Sequence, residues 1–446
     1  MPKGPFMLVT VGNIVSAAAQ WYIVWLFARQ DGAHAVGQYS GLLAILTPIF
    51  ITTQLGLRNL YISLQRHVRW PVYLGLRLTT VLLSVVAGLA VIWHLGGIFD
   101  WQLAMAILLI KVSDSVADLF FARLQKAERL SAFGILLIAD AFVTTAVVTF
   151  AMLATSSVIV ALWGAAAVSI LAAFSTGALG LRSPDPMAPG PAASQQVLSR
   201  FRTVPGDVGA LLRAGVPLSL MQGIYSLLSY VPLGVVGLFG APDDVGRYAS
   251  AAYLVVFANL VGASAETVLL PGYRRRYQAR GRIVLLRSVT ATSVVTFIAL
   301  TPLVVLAVLT GPRLLVSVYG ADFSISRTAV LFLALAACIT MPTYMISAML
   351  LILNRYWATT VIGAASVLCV LVSGVIAGFS GMEAVEAGCL AVFVGSSVRY
   401  VGELVLCRLS RWPGQGSATR SANAEVLERS EVRGPDQESD DKARLQ

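Results

Sequence analysis

The sequence is poor in charged residues for its length. Only 12% of its 446 residues are Asp, Glu, Lys or Arg, whereas a soluble domain carries about 25%. Hydrophobic residues make up 57% of the chain. Long apolar runs recur almost to its end, so the first of them is not simply a signal peptide. The composition therefore predicts an all-α polytopic membrane protein rather than a soluble globular one.

Cysteine and histidine are also scarce. All four cysteines lie in predicted membrane spans without CxxC spacing, and the three histidines fall in or near three different turns. These residues are Cys338, Cys369, Cys389, Cys407, His34, His67 and His94. The pattern is typical of cysteines that pack as small apolar side chains. It gives no basis for a metal site, and we expect no cofactor.

The formal net charge of +10 does not indicate a nucleic-acid partner. The arginines concentrate in alternate short connections between apolar runs, for example Arg66 and Arg69, or the arginine run 274–276. The remaining connections are poor in basic residues and partly acidic, as at Asp100 and Asp243. This asymmetry predicts that the arginine-rich connections and both termini lie in the cytoplasm, next to anionic membrane lipid.

Apolar runs of about 20 residues are long enough to cross a bilayer as helices. The sequence contains twelve such runs, separated by short polar connections. We predict membrane spans one to twelve at residues 6–28, 40–63, 74–96, 101–124, 132–154, 158–180, 214–238, 248–270, 284–309, 329–353, 357–378 and 384–407.

Two segments lack this apolar pattern. Residues 182–213 include a stretch rich in Pro, Ala, Ser and Gly, which is typical of a linker. Residues 411–446 mix charges with Ser, Gly and Pro, which is typical of a disordered tail. We therefore predict an N-terminal six-helix lobe at 1–181, a cytoplasmic linker at 182–213, a C-terminal six-helix lobe at 214–410 and a disordered cytoplasmic tail at 411–446.

The two halves of the chain repeat. Residues 36–40 (VGQYS) open span two, and residues 245–249 (VGRYA) open span eight, 209 positions later. Six spans per half start both halves on the same side, so the repeat predicts a pseudo-twofold axis along the membrane normal. Polar stripes also recur in spans one and seven, and they indicate either interhelical hydrogen bonds or a shared cavity. Their members are Asn13, Ser16, Gln20, Ser219, Gln222, Ser226 and Ser229.

Charged residues interrupt two of the apolar runs. Lys111, Asp114 and Asp118 share one helical face of span four, and Asp140 lies in span five. Charges at that depth usually mark an ion or substrate path, so we expect the three aspartates to bind a coupling ion. The structural alternatives are that Lys111 pairs with Asp114 or Asp140, and that Asp118 pairs with Arg123.

Short motifs around the first two spans resemble those of one transporter family. An arginine and a glycine end span one, a Gly-x-Tyr opens span two, a Gly-Leu closes it, and a basic turn precedes span five. The matching residues are Ala28, Arg29, Gly32, Gly37, Tyr39, Gly56, Leu57, Arg123 and Arg129. With the twelve-span topology, the chain resembles the O-antigen and exopolysaccharide translocase branch of the multidrug/oligosaccharidyl-lipid/polysaccharide exporter superfamily.

The resemblance implies two pseudo-symmetric six-helix lobes that rock around a central cavity. It implies that the protein flips an undecaprenyl-pyrophosphate-linked oligosaccharide across the bacterial inner membrane for cell-surface polysaccharide synthesis. Cationic residues would hold the pyrophosphate, an H⁺ or Na⁺ gradient would drive the cycle, and other polysaccharide-assembly proteins would be partners. The residues expected to contact the substrate are Lys111, Arg29, Arg58, Asn13, Gln20 and Gln222.

Two other function classes remain open from the sequence. The first is a cation-coupled small-molecule or drug antiporter of the same superfamily. The second is a polytopic glycan polymerase or glycosyltransferase. It is the weaker alternative, because no nucleophile–base pair or metal cluster can be recognised. We therefore expect a transporter that is not an enzyme.

A pair of charges near the cytoplasmic ends of spans two and eight predicts a gate. Thr267 follows Arg58 by 209 positions, and Glu266 precedes it. A pseudo-twofold axis would bring Arg58 and Glu266 together when the lobes close towards the cytoplasm, so the pair would favour that state. The alternative is that Glu266 pairs with an arginine of its own loop, such as Arg274.

Overall fold

The computed structural model of the protein describes residues 3–63, 68–95, 97–182, 205–353 and 355–409. Every regular element in these ranges is helical. The α-helices are Lys3–Thr53, Leu57–Ser63, Trp70–His94, Trp101–Lys126, Leu130–Thr155, Val158–Arg182, Pro205–Phe239, Pro242–Tyr319, Arg327–Ile352, Tyr356–Phe379 and Ala384–Leu409, and Ala321–Phe323 forms a 3₁₀ turn. The loop with Arg66, most of the predicted linker 182–213 and the predicted tail 411–446 lie outside the described residues.

Two of these helices bend at a glycine and each contains two membrane spans. Lys3–Thr53 bends at Gly32, where φ is 75°, and Pro242–Tyr319 bends at Gly281, where φ is 74°. Only glycine adopts such a conformation without strain. Spans one and two therefore share the first long helix, spans eight and nine share the second, and the twelve predicted spans are confirmed.

Composition alone would recover fewer spans. Ten helical stretches in the described residues are long and apolar enough to cross a membrane, and one of them, Met7–Ile62, holds spans one and two. Span four, Trp101–Lys126, is of similar length but carries the charges described above. Its start is fixed by Asp100, whose Oδ1 accepts hydrogen bonds from the backbone of Gln102 and Leu103 at 2.7 and 3.1 Å.

Two segments expected to be connections are helical. The arginine-rich segment 271–283 continues span eight as helix up to Gly281, and span nine continues past the Thr-Gly-Pro sequence at 310–312 to Tyr319. A proline is tolerated in a membrane helix where neighbouring spans support the backbone. Span ten supports the helix at this point. It packs so closely that a β-carbon added at Gly311 would lie 2.9 Å from Val330.

Spans one to six form one lobe and spans seven to twelve form the other. One core of interlocked apolar side chains lies around Phe27 and Ile107 and is mostly in the first lobe, and another lies around Val236 and Leu333 in the second. Large apolar side chains also cover the outside, as at Phe150, and they face the lipid that surrounds a membrane protein. Residues up to Glu403 form one compact unit, and the last turns of span twelve belong to a second unit.

The repeated motifs of the two halves meet each other. A β-carbon added at Gly37 would overlap the carbonyl oxygen of Pro242 and lie 3.2 Å from the amide nitrogen of Gly246. The His34 ring contacts the Asp243 carboxylate at 3.1 Å. Both Gly37 and Gly246, and His34 and Asp243, are 209 positions apart. Equivalent residues of two repeats can touch only beside their symmetry axis, so the predicted pseudo-twofold is confirmed.

Candidate functional site

The lobes are joined at the predicted periplasmic face by side chains of span one. The Trp21 Nε1 donates to the Tyr319 hydroxyl at 2.7 Å, and the Trp25 Nε1 donates to the Val318 carbonyl at 2.9 Å. Arg29, expected to contact the substrate, donates to the Ser317 carbonyl in the same seam. These bonds close the space between span one and the end of span nine at this face.

The cluster in spans four and five lies inside the N-terminal lobe. Lys111 and Asp118 lie close enough to the Asp114 carboxyl to interact with it electrostatically. Asp114 interacts in the same way with Asp140 and with Tyr39 of span two. The Asp114 side chain is exposed although it is near mid-span, so it borders open space rather than packed core. The Oδ1 atom of Asp140 is buried without a hydrogen-bond partner in the described residues. The cluster thus brings together the predicted coupling residues Asp114 and Asp140.

Asp118 has other partners than the one considered from the sequence. Its Oδ1 accepts from the Arg58 Nη1 at 2.8 Å, and its Oδ2 accepts from the Arg77 Nη2 at 3.2 Å. Arg123 instead stacks on the ring of Trp70, with its guanidinium carbon 5.0 Å from the ring centre. The alternative of an Asp118–Arg123 pair was therefore wrong, because Asp118 faces spans two and three.

A polar pocket of about 340 Å³ surrounds the shared carboxylate. We call it the Arg77 pocket. It is lined by Gln54, Gly56, Arg58, Asn59, Ile62, Arg77, Asp118, Gln125 and Gln222. The Arg58 Nη2 also donates to the Gln125 Oε1 at 3.3 Å. Gln222 belongs to span seven, so the pocket spans the boundary between the two lobes.

A larger cavity of about 730 Å³ lies mainly in the C-terminal lobe. We call it the C-lobe cavity. Spans seven, eight, ten, eleven and twelve contribute to its wall, and span two closes it from the other lobe. Its aromatic lining includes Tyr225, Tyr230, Tyr248, Tyr253 and Tyr344, and its charged lining consists of Glu266 and Arg399.

Arg399 is the cation of the C-lobe cavity, and four side chains hold it in place. Its Nε donates to the Glu403 Oε1 at 3.0 Å, and its Nη2 donates to the Ser347 Oγ at 3.3 Å. Its guanidinium carbon lies 4.7 Å from the ring centre of Tyr225 and 5.7 Å from that of Tyr344. The position of the charge is therefore fixed by spans seven, ten and twelve.

The carboxylate behind Arg399 is fully enclosed. Glu403 is 0% exposed, and its Oε2 accepts from the Ser347 Oγ at 2.6 Å. A buried carboxylate without a cation would be costly, so Glu403 and Arg399 stabilise each other, and Glu403 orients the guanidinium group. Arg399 itself lines the open cavity, which leaves its remaining donors available to a ligand.

Some residues predicted from the sequence lie at neither pocket. Asn13 and Gln20 are exposed on span one, and they line neither the C-lobe cavity nor the Arg77 pocket. Glu266 lines the C-lobe cavity. Its carboxyl group interacts electrostatically with Arg399 and Glu403. Arg58 is held by Asp118 in this structure, so the Arg58–Glu266 gate stays a prediction for another state of the transport cycle.

Three residues were missed by the sequence reasoning: Arg77, Arg399 and Glu403. Arg399 and Glu403 are one turn apart inside the apolar run of span twelve, which is the same signal that identified Lys111 and Asp114. Arg77 is a lone arginine inside span three. All three were therefore detectable as charges within spans, although their partners were not. No group of three His, Cys, Asp or Glu residues that could hold a metal ion occurs among the described residues.

No family model matches the chain, and no curated protein matches it either. Solved structures do. A multidrug resistance MATE family transporter of the MOP superfamily, in an inward-facing conformation, matches with a TM-score of 0.64 at 12% identity, covering 89% of this chain and 93% of its own. The lipid II flippase MurJ, in an inward closed conformation, matches with a TM-score of 0.67 at 15% identity, covering 94% and 91%.

A third similar structure is a MOP superfamily transporter from Pyrococcus furiosus Vc1 (DSM3638), whose binding pocket has reverse polarity. It matches with a TM-score of 0.55 at 13% identity, covering 92% of this chain and 95% of its own. At these identities the similarity concerns the fold. The chain therefore has the twelve-helix, two-lobe fold of MOP superfamily transporters, and the predicted fold class is confirmed.

Proposed function

We propose that the protein is a flippase for a lipid-linked oligosaccharide, carried on undecaprenyl pyrophosphate, in the bacterial inner membrane. The observation that carries the proposal is the position of Arg399. This cation is held in place by Glu403, and it faces a cavity of about 730 Å³ with a tyrosine-rich wall. The planar guanidinium fork matches phosphate oxygens. Tyrosines offer an apolar ring face and a hydroxyl, which suits a ligand that is amphipathic along its length. The similarity to the fold of the lipid II flippase MurJ supports the same class of cargo.

The proposed cycle is alternating access. The seam formed by Trp21, Trp25 and Arg29 holds the lobes together at the predicted periplasmic face, and it must open for the glycan to leave there. Arg29 would then be free to contact the departing anion. Cargo binding favours this opening only if the cargo has a higher affinity for the open state than for the closed state.

Polar residues of the N-terminal lobe complete the proposed path. Lys111 would contact the pyrophosphate, and Asp114 and Asp140 would bind the coupling ion, H⁺ or Na⁺, beside it. Asn13 and Gln20 would line the path on span one. Arg58 and Gln222 would also contact the cargo, and Asp118 would belong to the ion path.

A cation-coupled drug antiporter is the second candidate. Glu266 in the C-lobe cavity and the exposed Asp114 are carboxylates that a cationic drug could contact. The similarity to MATE family transporters supports this alternative. Arg399 disfavours it, because a cation at the cavity wall repels a cationic cargo.

The two candidates predict different effects of the same substitutions. In a host strain that lacks the gene, Arg399→Gln and Lys111→Ala should each lower surface-glycan export about tenfold or more, since each removes a charged hydrogen bond to the cargo. Lipid-linked glycan should accumulate in the cytoplasmic leaflet, while sensitivity to cationic drugs should not change. Arg313→Gln, at an exposed arginine near the end of span nine, is the matched control.

Immunoblots separate lost transport from lost protein. Normal export by both variants at normal protein level would contradict the flippase proposal. Changed drug sensitivity with unchanged glycan export would favour the antiporter.

A further inference from the structure

The buried Arg77 guanidinium has more hydrogen-bond donors than there are acceptors around it. Its side chain is 0% exposed, and its bond to Asp118 uses Nη2 alone. The Nε and Nη1 atoms have no hydrogen-bond partner in the described residues. Buried polar groups are nearly always satisfied, and an unmatched donor on a charged group is especially costly. These Arg77 donors can therefore be satisfied only by an acceptor that is not among the described side chains.

The charges around Arg77 do not cancel. Arg58 and Asp118 are the charged groups that act on it. The single carboxylate is divided between the two arginines, one oxygen to each. The cluster therefore carries one excess positive charge inside the lobe, next to an open pocket of about 340 Å³. An anion would neutralise it.

The other polar groups of the pocket suit an oxyanion as well. Gln54, Gln125 and Gln222 line it, and each amide has two N–H donors that can reorient towards a ligand oxygen. The volume lies in the range of about 300–1,000 Å³ found for small-ligand sites. Arginine pairs bind phosphate through parallel N–H donors, a geometry that lysine does not offer.

We propose that the Arg77 pocket is a second anion site, separate from the C-lobe cavity, which binds a phosphate or diphosphate group between the two lobes. Arg77 supplies Nε and Nη1, Arg58 supplies the exposed charge, and Gln222 adds a contact from span seven. A bound anion would link the lobes at the predicted cytoplasmic face. The site itself stands on this geometry. Only the identity of its natural anion as the diphosphate of the cargo rests on the proposed function.

The test measures binding without transport. The full-length protein, purified in detergent, is titrated with inorganic pyrophosphate, and affinity is followed by calorimetry and by thermal stabilisation. Arg77→Gln should weaken binding about tenfold or more, because it removes a charged donor pair. Asp118→Asn should instead tighten binding by a similar factor, because it raises the net charge of the pocket and frees both guanidinium groups. Arg313→Gln, at the exposed arginine near the end of span nine, is the control and should bind as the unmodified protein does.

Opposite effects of Arg77→Gln and Asp118→Asn are the decisive result, since general loss of structure would weaken both. If Arg77→Gln does not fold, Gln222→Ala replaces it and should weaken binding severalfold. The proposal is overturned if the unmodified protein does not bind pyrophosphate, if Asp118→Asn weakens binding, or if a folded Arg77→Gln variant binds as tightly as the unmodified protein. Because no step involves glycan export, a failed flippase proposal leaves this test unaffected.

A second arm distinguishes the sources of the phosphate group. The protein is placed in nanodiscs of phosphatidylcholine with or without phosphatidylglycerol, and the pyrophosphate titration is repeated. If a lipid headgroup fills the site, phosphatidylglycerol should weaken pyrophosphate binding to the unmodified protein and have no effect on Arg77→Gln. If phosphatidylglycerol has no effect on either, the site takes the diphosphate of a cargo or a free phosphate.

Discussion

Several charged side chains inside the bundle have partners that hold them in place. Arg58 and Arg77 share Asp118, and Arg399 is held by Glu403 one turn further along span twelve. A charge at this depth is costly unless it is paired, so the two pairs made by Asp118 also fix the relative positions of spans two, three and four. The excess positive charge of the Arg58–Arg77–Asp118 group lies beside the Arg77 pocket, which is where we propose that an anion binds.

The predicted gate is tested by exchanging its charges. Arg58→Glu and Glu266→Arg should each impair glycan export, and the double variant should recover part of it, because the exchanged pair can form again when the lobes close at the predicted cytoplasmic face. Recovery should be partial, since Arg58→Glu also removes the partner of Asp118. Glu266→Arg combined with Arg313→Glu is the control and should show no recovery. Strictly additive damage in the Arg58–Glu266 pair would argue against the gate.

At this scale the sequence predicts which residues carry charge into the membrane but not what they contact. Lys111, Asp114 and Asp118 stand out within an apolar run. The partners of Asp118 are 60 and 41 positions away, at Arg58 and Arg77. Helical spacing reveals only partners three or four residues apart, and so it pointed towards neighbours within the same span.

At the scale of helices, close backbone approach joins the two halves. Spans two and eight touch where Gly37 meets Pro242 and Gly246, at a distance that leaves no room for a β-carbon. Small residues allow such approaches between membrane helices. The five-residue repeat predicted the equivalence of the two motifs. Their contact could not be predicted, because the position of the symmetry axis depends on how the lobes pack.

A side chain at this contact should open the predicted periplasmic face. Gly37→Val would overlap the Pro242 carbonyl, and overpacking of about 1–3 kcal/mol would shift the balance of states about fivefold or more away from this one. Labelling of a cysteine introduced at Asp243 should rise in a variant that carries Gly37→Val. Gly75→Val is the matched control, since nothing lies within 4 Å of a β-carbon there. Equal labelling in both variants would show that Gly37 does not control closure.

For the whole molecule, the distribution of arginine predicts which side of the membrane each connection faces. The connections around Gly97, Ala241 and Gly381 are short turns poor in basic residues, whereas the helical segment around Gln278 carries several arginines. Cysteines at Gly97, Ala241 and Gly381 should therefore react with an impermeant reagent in intact cells with a permeabilised outer membrane. A cysteine at Gln278 should react only after lysis.

The same expectation covers Gln65 and Gly190, which lie outside the described residues and should be labelled only after lysis. A single position on the opposite side would break the assignment of both termini to the cytoplasm. It would also reverse which face the seam of Trp21 and Trp25 closes.

The sequence by itself determined the number of spans, their order and the repeat of the two halves. Hydropathy, turn residues and motif spacing are properties of residues close together in the chain. They can therefore be recognised in the sequence without knowing how the helices pack. The tertiary structure alone decided that segments 271–283 and 311–319 stay helical, that Asp118 serves two arginines and that Arg399 faces a cavity. These outcomes depend on contacts between residues far apart in the chain, which form only when the spans pack against one another.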